Sequence, residues 1–193
     1  VFSDGATTRD TMISNCVLVG NNAWYQGGGA AWGSFYDCTI KYNTASETSE
    51  PTSGGGGGTF RSSLYGCQLN SNRCFFGTGG GTYGDTTTVV SNCYIAGNTV
   101  GTGGGGNPAG GGGHSGFFYN CTVTVNRSFG APNFGGGLGL TGPGSGSVFD
   151  SVISGNSSAN YSGVGAGIYA SNCIISDNSG FDSSAGGADT TLI

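Results

Sequence analysis

The sequence predicts an all-β chain wound as a parallel β-helix, a β-solenoid of about seven coils with stacked Cys, aliphatic and Asn ladders. Three observations carry that prediction. The first is a frame in which a cysteine, replaced once by Ser151, is followed by an aliphatic residue two places on and an asparagine five places on. It occurs at Cys16/Leu18/Asn21, Cys38/Ile40/Asn43, Cys67/Leu69/Asn72, Cys93/Ile95/Asn98, Cys121/Val123/Asn126, Ser151/Ile153/Asn156 and Cys173/Ile175/Asn178. The second is spacing: successive frames start 22 to 30 residues apart, the range of one solenoid coil that cannot bury its apolar face alone. The third is a glycine cluster between one frame and the next.

Each part of the coil has a physical reason. The strand in the frame reads in, out, in at positions zero, one and two, the alternation of a half-buried strand. Three places before the frame the residue is always apolar: Ile13, Phe35, Leu64, Val90, Phe118, Val148, Ala170. Strict alternation would turn it outward, so a turn or bulge before position zero is expected to re-aim it inward. The neighbouring column, Ser14, Tyr36, Tyr65, Ser91, Tyr119, Phe149 and Ser171, then faces outward or fills a corner. The asparagines are expected at a corner, in the left-handed conformation, bonding backbone groups of their own and adjacent coils. Stacked at strand spacing, their amides also form a ladder. The glycines, such as Gly27 to Gly29 and Gly79 to Gly81, supply positive φ or close approach of backbones. A phosphate-cradling loop would need a following helix and usually a lysine, and neither is present.

Composition agrees with a narrow core. The 193 residues suit a single domain over 1–193. Leu, Ile, Val and Phe make up only about 19 % of the chain and Gly reaches 43 residues, yet the net charge of -5 is too small for a disordered polyelectrolyte. Four Arg and one Lys provide no basic stripe, so no nucleic-acid partner is expected. No apolar run is long enough to enter a membrane as a helix. The start on Val1 and the end on Thr191-Leu192-Ile193, with Asp4-Gly5-Ala6-Thr7 as an incomplete coil, suggest a section of a longer protein or a filament subunit.

Seven cysteines cannot all pair internally. Thiols stacked in register point the same way, which opposes disulfide geometry. Cys16, Cys38, Cys67, Cys93 and Cys121, in the column that Cys173 shares, are therefore expected as reduced, buried small apolar residues, while Cys74, off the column, is expected to be exposed. No CxxC cluster suggests a metal, and no cofactor is expected.

The asparagine–cysteine strand ending in Asn, together with a glycine triplet, resembles the right-handed parallel β-helix repeats of large bacterial surface and secreted proteins. Asn43-Thr44-Ala45 leading to a glycine cluster is similar to the alternating motifs of polymorphic outer membrane proteins. The resemblance implies a right-handed coil and an extracellular or cell-surface location. It leaves function open, because that repeat serves adhesins, passenger domains, phage tailspikes and polysaccharide-degrading enzymes alike. Departures from the pattern are the lack of a membrane-barrel segment, an anchoring tail and an N-terminal cap.

Glycosidase chemistry needs two carboxylates within about 5 to 9.5 Å of each other. Asp37 and Asp150 share a column but lie four coils apart, about 19 Å at strand spacing. His114, the one histidine, reads as a solvated turn residue. The outward columns hold a single Thr-x-Thr pair, Thr122/Thr124, which is no ice-binding array. Of four Asn-x-Ser/Thr sequons, Asn126 and Asn156 belong to the ladder, leaving Asn160 and Asn120 as candidate glycan acceptors. The expectation is thus a non-enzymatic extracellular structural or adhesive β-helix that stacks on itself head to tail into a fibre or forms part of a surface stalk. The alternative is a polysaccharide-binding or polysaccharide-degrading module that takes surface glycans, with Trp24, Tyr25, Trp32, Tyr36, Tyr65 and Tyr119 as a stacking platform.

Overall fold

The computed structural model describes residues 11–46, 55–101, 109–129, 135–139, 146–158, 162–165 and 168–180. They form a right-handed parallel β-helix of about seven coils, all strand and turn with no helix. Hence no helix among the described residues is long and apolar enough to cross a membrane. Asp4-Gly5-Ala6-Thr7 and Thr191-Leu192-Ile193 lie outside the described residues.

One coil shows the plan. Thr59–Phe60 belongs to the fourth sheet, Ser63–Tyr65 to the first, Gln68–Asn70 to the second and Arg73–Cys74 to the third. The first three sheets have seven strands each and the fourth has five. Every pairing is parallel and in register, so Leu18, Ile40, Leu69, Ile95, Val123, Ile153 and Ile175 make one continuous row.

Two tight corners bracket the frame strand. Asn15, Asp37, Gly66, Asn92, Asn120, Asp150 and Asn172, each just before position zero, have φ between 49° and 65°. This left-handed residue reverses the inward and outward alternation, which is why Phe35 and Cys38 are both buried although three places apart. The second corner is at position four, where Gly20, Tyr42, Ser71, Gly97, Val125, Gly155 and Asp177 have φ between 54° and 66°. The ladder asparagines follow that corner and are not themselves left-handed. The expected αL asparagine is thus corrected: the residue before it takes the strain, leaving the amide aligned for hydrogen bonding.

The main core is built from the columns at minus three, zero and two, from Phe35, Cys38 and Ile40 through Val148, Ile153, Cys173 and Ile175. No disulfide forms. Each thiol lies near the carbonyl two residues back, Cys38 Sγ to Tyr36 O at 3.2 Å and Cys121 Sγ to Tyr119 O at 3.2 Å. Ser151 makes the same bond to Phe149 O at 2.6 Å, and its Oγ accepts from Cys121 N at 3.0 Å. Position zero therefore selects a small side chain with a donor that serves the corner carbonyl, and Ser meets that need as Cys does. Cys16, in the first coil, is exposed. Cys74 is buried rather than exposed, because it lies in register with Ala45 and Val100 in a second, smaller core.

Between the two cores the coil narrows to a waist of backbone. A Cβ on Gly80 would lie 2.4 Å from Gly111 O and 2.6 Å from Thr99 O. The first glycine of each triplet, such as Gly79 at φ +69°, makes the turn into the waist. The later ones are glycines because another chain segment occupies the side-chain space.

Candidate functional site

The asparagine ladder is the feature with the most developed geometry. Asn98 Oδ1 accepts from both Asn72 N and Asn72 Nδ2, at 2.9 and 3.0 Å. Asn98 Nδ2 donates backward to Leu69 O at 2.8 Å and forward to Asn126 Oδ1 at 3.0 Å. The same set recurs at Asn43, Asn72, Asn126 and Asn156. All five of these side chains are fully buried. Asn126 and Asn156 therefore present no amide to solvent, sequon or not.

The ladder runs one way: from Asn43 to Asn178, each side-chain oxygen receives donors from the coil before it. Its two ends consequently differ. At the first coil, Asn21 donates to Asn43 Oδ1 while its own Oδ1 has no donor among the described residues, and the residue is exposed. At the last, Asn178 Oδ1 is filled by Asn156 and Asn178 Nδ2 donates to Ile153 O, but the Asn178 backbone N–H has no acceptor among the described residues. One end offers an acceptor and the other a donor. Ile13 and Leu18, only partly buried, lie beside the first; Ala170 lies near the second.

The chain matches no family model, no curated protein and no solved structure. What it can do must therefore be read from its own surfaces.

No enzymatic constellation forms among the described residues. Asp37 and Asp150 are exposed corner residues four coils apart, and Asp150 Oδ1 accepts from Asn172 Nδ2 at 2.5 Å. Asp85 lies 3.8 Å from Arg61, and Asp177 occupies a corner of the last coil. Among the described residues, no group of three His, Cys, Asp or Glu converges as metal ligands would. Asp4, Asp10, Glu47, Glu50, Asp182 and Asp189 lie outside the described residues. The stacked thiols shift in both directions: burial pushes Cys38 up, and hydrogen bonding to Cys121 and Cys67 with burial pushes Cys93 up, whereas the hydrogen bond with Cys93 lowers both Cys67 and Cys121.

His114 overturns its sequence reading. It is wholly buried, stacked on Tyr83 at 5.1 Å, which in turn stacks on Phe60 at 5.1 Å. Nδ1 faces Ser115 Oγ at 3.1 Å, whereas Nε2 has no partner among the described residues. Burial lowers its pKa to about 3, so the ring is neutral at physiological pH. It is an element of an internal ring stack.

The aromatic side chains expected as a platform are divided among faces. Tyr36 stacks on Tyr65 at 4.9 Å, and Tyr119 on Phe149 at 5.1 Å, outside the first sheet. Trp32 packs edge-on against Phe60 beneath Arg61. Trp24 and Tyr25 are exposed beside a cavity of about 490 Å³ lined by residues 21–29. Asn120 is exposed at its corner and donates from Nδ2 to Asn92 Oδ1 at 2.6 Å; Asn160 lies outside the described residues.

Sequence reading missed the outer face of the third sheet. Arg73 and Arg127 share the column Asn22, Thr44, Arg73, Thr99, Arg127, Ser157. Each guanidinium lies over the phenylalanine two residues on, Arg73 3.9 Å from Phe75 and Arg127 4.9 Å from Phe129. The signal was present: both Arg-x-Phe triplets start one place after a ladder asparagine.

Proposed function

We propose that the chain is a non-enzymatic, extracellular structural element that extends by head-to-tail stacking, the last coil of one copy lying on the first coil of the next. The observation that carries this reading is the one-way ladder, whose acceptor at Asn21 and donor at Asn178, both unfilled among the described residues, complement each other in sense. The same translation that relates neighbouring coils would relate neighbouring copies, so each sheet continues without a change of register. Two distinct surfaces meeting in this way do not close, and a contact of that kind makes a filament. It also removes the unpaired strand edges that an isolated solenoid leaves at its ends.

The test is sedimentation velocity and negative-stain microscopy over a concentration series. The expected result is concentration-dependent filaments of constant width, lengthening in steps of about 34 Å, seven strand spacings. Leu18→Lys, which places a charge at the seam, is expected to yield folded monomers by circular dichroism. Monomers at every concentration, or filaments indifferent to Leu18→Lys, would overturn the reading.

A further inference from the structure

The Arg–Phe pairs on the third sheet are arranged more regularly than a random surface. Along the helix axis the column two places beyond the arginine column reads Trp24, Ser46, Phe75, Gly101, Phe129. Its register is fixed by hydrogen bonds from Ser46, Phe75, Gly101 and Phe129 to the preceding coil. Aromatic residues thus occur on alternate coils, with Ser46 and Gly101 between them. Each phenylalanine holds one guanidinium, limiting the rotamer freedom that a free arginine would lose on binding. The result is two cationic ridges separated by two strand spacings, about 10 Å. The floor between them is the half-buried Thr99.

Four features define what fits. Both arginines are exposed, and no carboxylate occurs on the described part of this sheet; the one acid in the corner column that leads into it, among the described residues, is Asp177, two coils beyond Arg127. The face therefore complements negative charge. Asn22, Thr44, Thr99 and Ser157 share the arginine column and offer amide and hydroxyl groups at strand spacing. Backbone groups along the interior strands are paired to neighbouring coils, which excludes a peptide that binds by adding a strand. Finally, two arginines on a chain of net charge -5 make a weak polyphosphate site, and nucleic-acid phosphates follow one another more closely than these ridges do.

We infer that this face binds a linear acidic polysaccharide lying along the helix axis, with an anionic group on every second sugar. One carboxylate or sulfate pairs with Arg73 and the next with Arg127, the intervening sugar rests over Thr99, and Trp24 stacks on a ring farther along. Successive linked pyranose rings advance by roughly one strand spacing, so alternate acidic sugars keep step with alternate coils. Long sugar polymers and head-to-tail stacking are compatible, but neither requires the other.

The experiment is affinity electrophoresis and Trp fluorescence titration of the full chain with hyaluronan, whose acidic sugars alternate with neutral ones. Parallel arms use dextran as a neutral polymer and a single-stranded oligonucleotide. Hyaluronan is expected to bind, with affinity falling as salt rises. Arg73→Gln/Arg127→Gln is expected to weaken binding at least tenfold, whereas Lys41→Gln, on the second sheet, leaves it unchanged. Sedimentation of the same samples reads stacking separately, so loss of either property does not disguise loss of the other. No binding of hyaluronan, equal binding of dextran, tighter binding of the oligonucleotide, or full affinity in a folded double variant would each overturn the inference.

Discussion

On the side of the coil that carries the Cys–aliphatic–Asn frame, side chains fill the space between the walls. Across the waist, one backbone lies directly on another. Asn98 and Gly81 show the meeting of the two: a Cβ on Gly81 would stand 3.1 Å from the Asn98 amide carbon and 2.4 Å from Gly112 O. The amide row needs large, specific polar groups with all their bonds made; the glycine row needs nothing in the space at all. One column is conservative in chemistry and the other in volume, and the thin cross-section needs both. It also explains how a chain with so few aliphatic residues builds a continuous core.

The comparison can be broken most severely at the waist. Gly80→Val places three carbon atoms where Gly111 O and the Thr99 backbone already stand, and no rotamer relieves the clash of the Cβ. The expected outcome is loss of the folded state, read as loss of the β-sheet circular dichroism signal at 25 °C. On the other side, Asn98→Leu removes two accepted and two donated bonds and leaves Asn72 N–H buried. At about 1 kcal/mol for each bond, destabilisation of roughly 3 to 5 kcal/mol is expected by urea titration, with the fold retained if the parent has that margin.

A smaller effect separates His114 from the amides around it. Its folded pKa of about 3 lies below the unfolded value of 6.5, so between these limits the unfolded chain binds the extra proton. Stability is fully present above about pH 6.5 and falls toward pH 3, by up to about 1.4 kcal/mol per pH unit. His114→Phe, which keeps the ring stack, is expected to flatten that slope in urea titrations at pH 7, 6, 5 and 4. An unchanged slope would assign the acid sensitivity to other groups.

What could be read from the sequence follows the same division. The frame was legible because it repeats side-chain chemistry: Leu18 to Ile175 is a row of aliphatics, and Asn21 to Asn178 a row of amides. The inward turn of Phe35 and its equivalents followed from the pattern, and a left-handed corner produces it. The second corner was not legible. Its residues are Gly20, Tyr42, Ser71, Gly97, Val125, Gly155 and Asp177, which share a conformation and no chemistry. Val125 is notable there, since a β-branched residue adopts that conformation only under constraint. Cys74 and His114 were misplaced for a related reason. Both belong to short strands of the third and fourth sheets, where small or dissimilar neighbours such as Ala45, Val100 and Gly139 hide the column. The carbonyl-serving role of position zero was visible only as a single Cys-to-Ser exchange, at Ser151.

The alignment of the amides has an electrical consequence. In each ladder asparagine the side-chain carbonyl is directed toward the preceding coil, so the group moments add instead of cancelling. An amide carries about 3.5 D, and seven in one sense give a moment on the order of 20 D along the axis, negative toward the first coil. Two such rods attract when their axes point the same way in line and repel when turned end for end. Their own amides would favour one orientation before any surface touched.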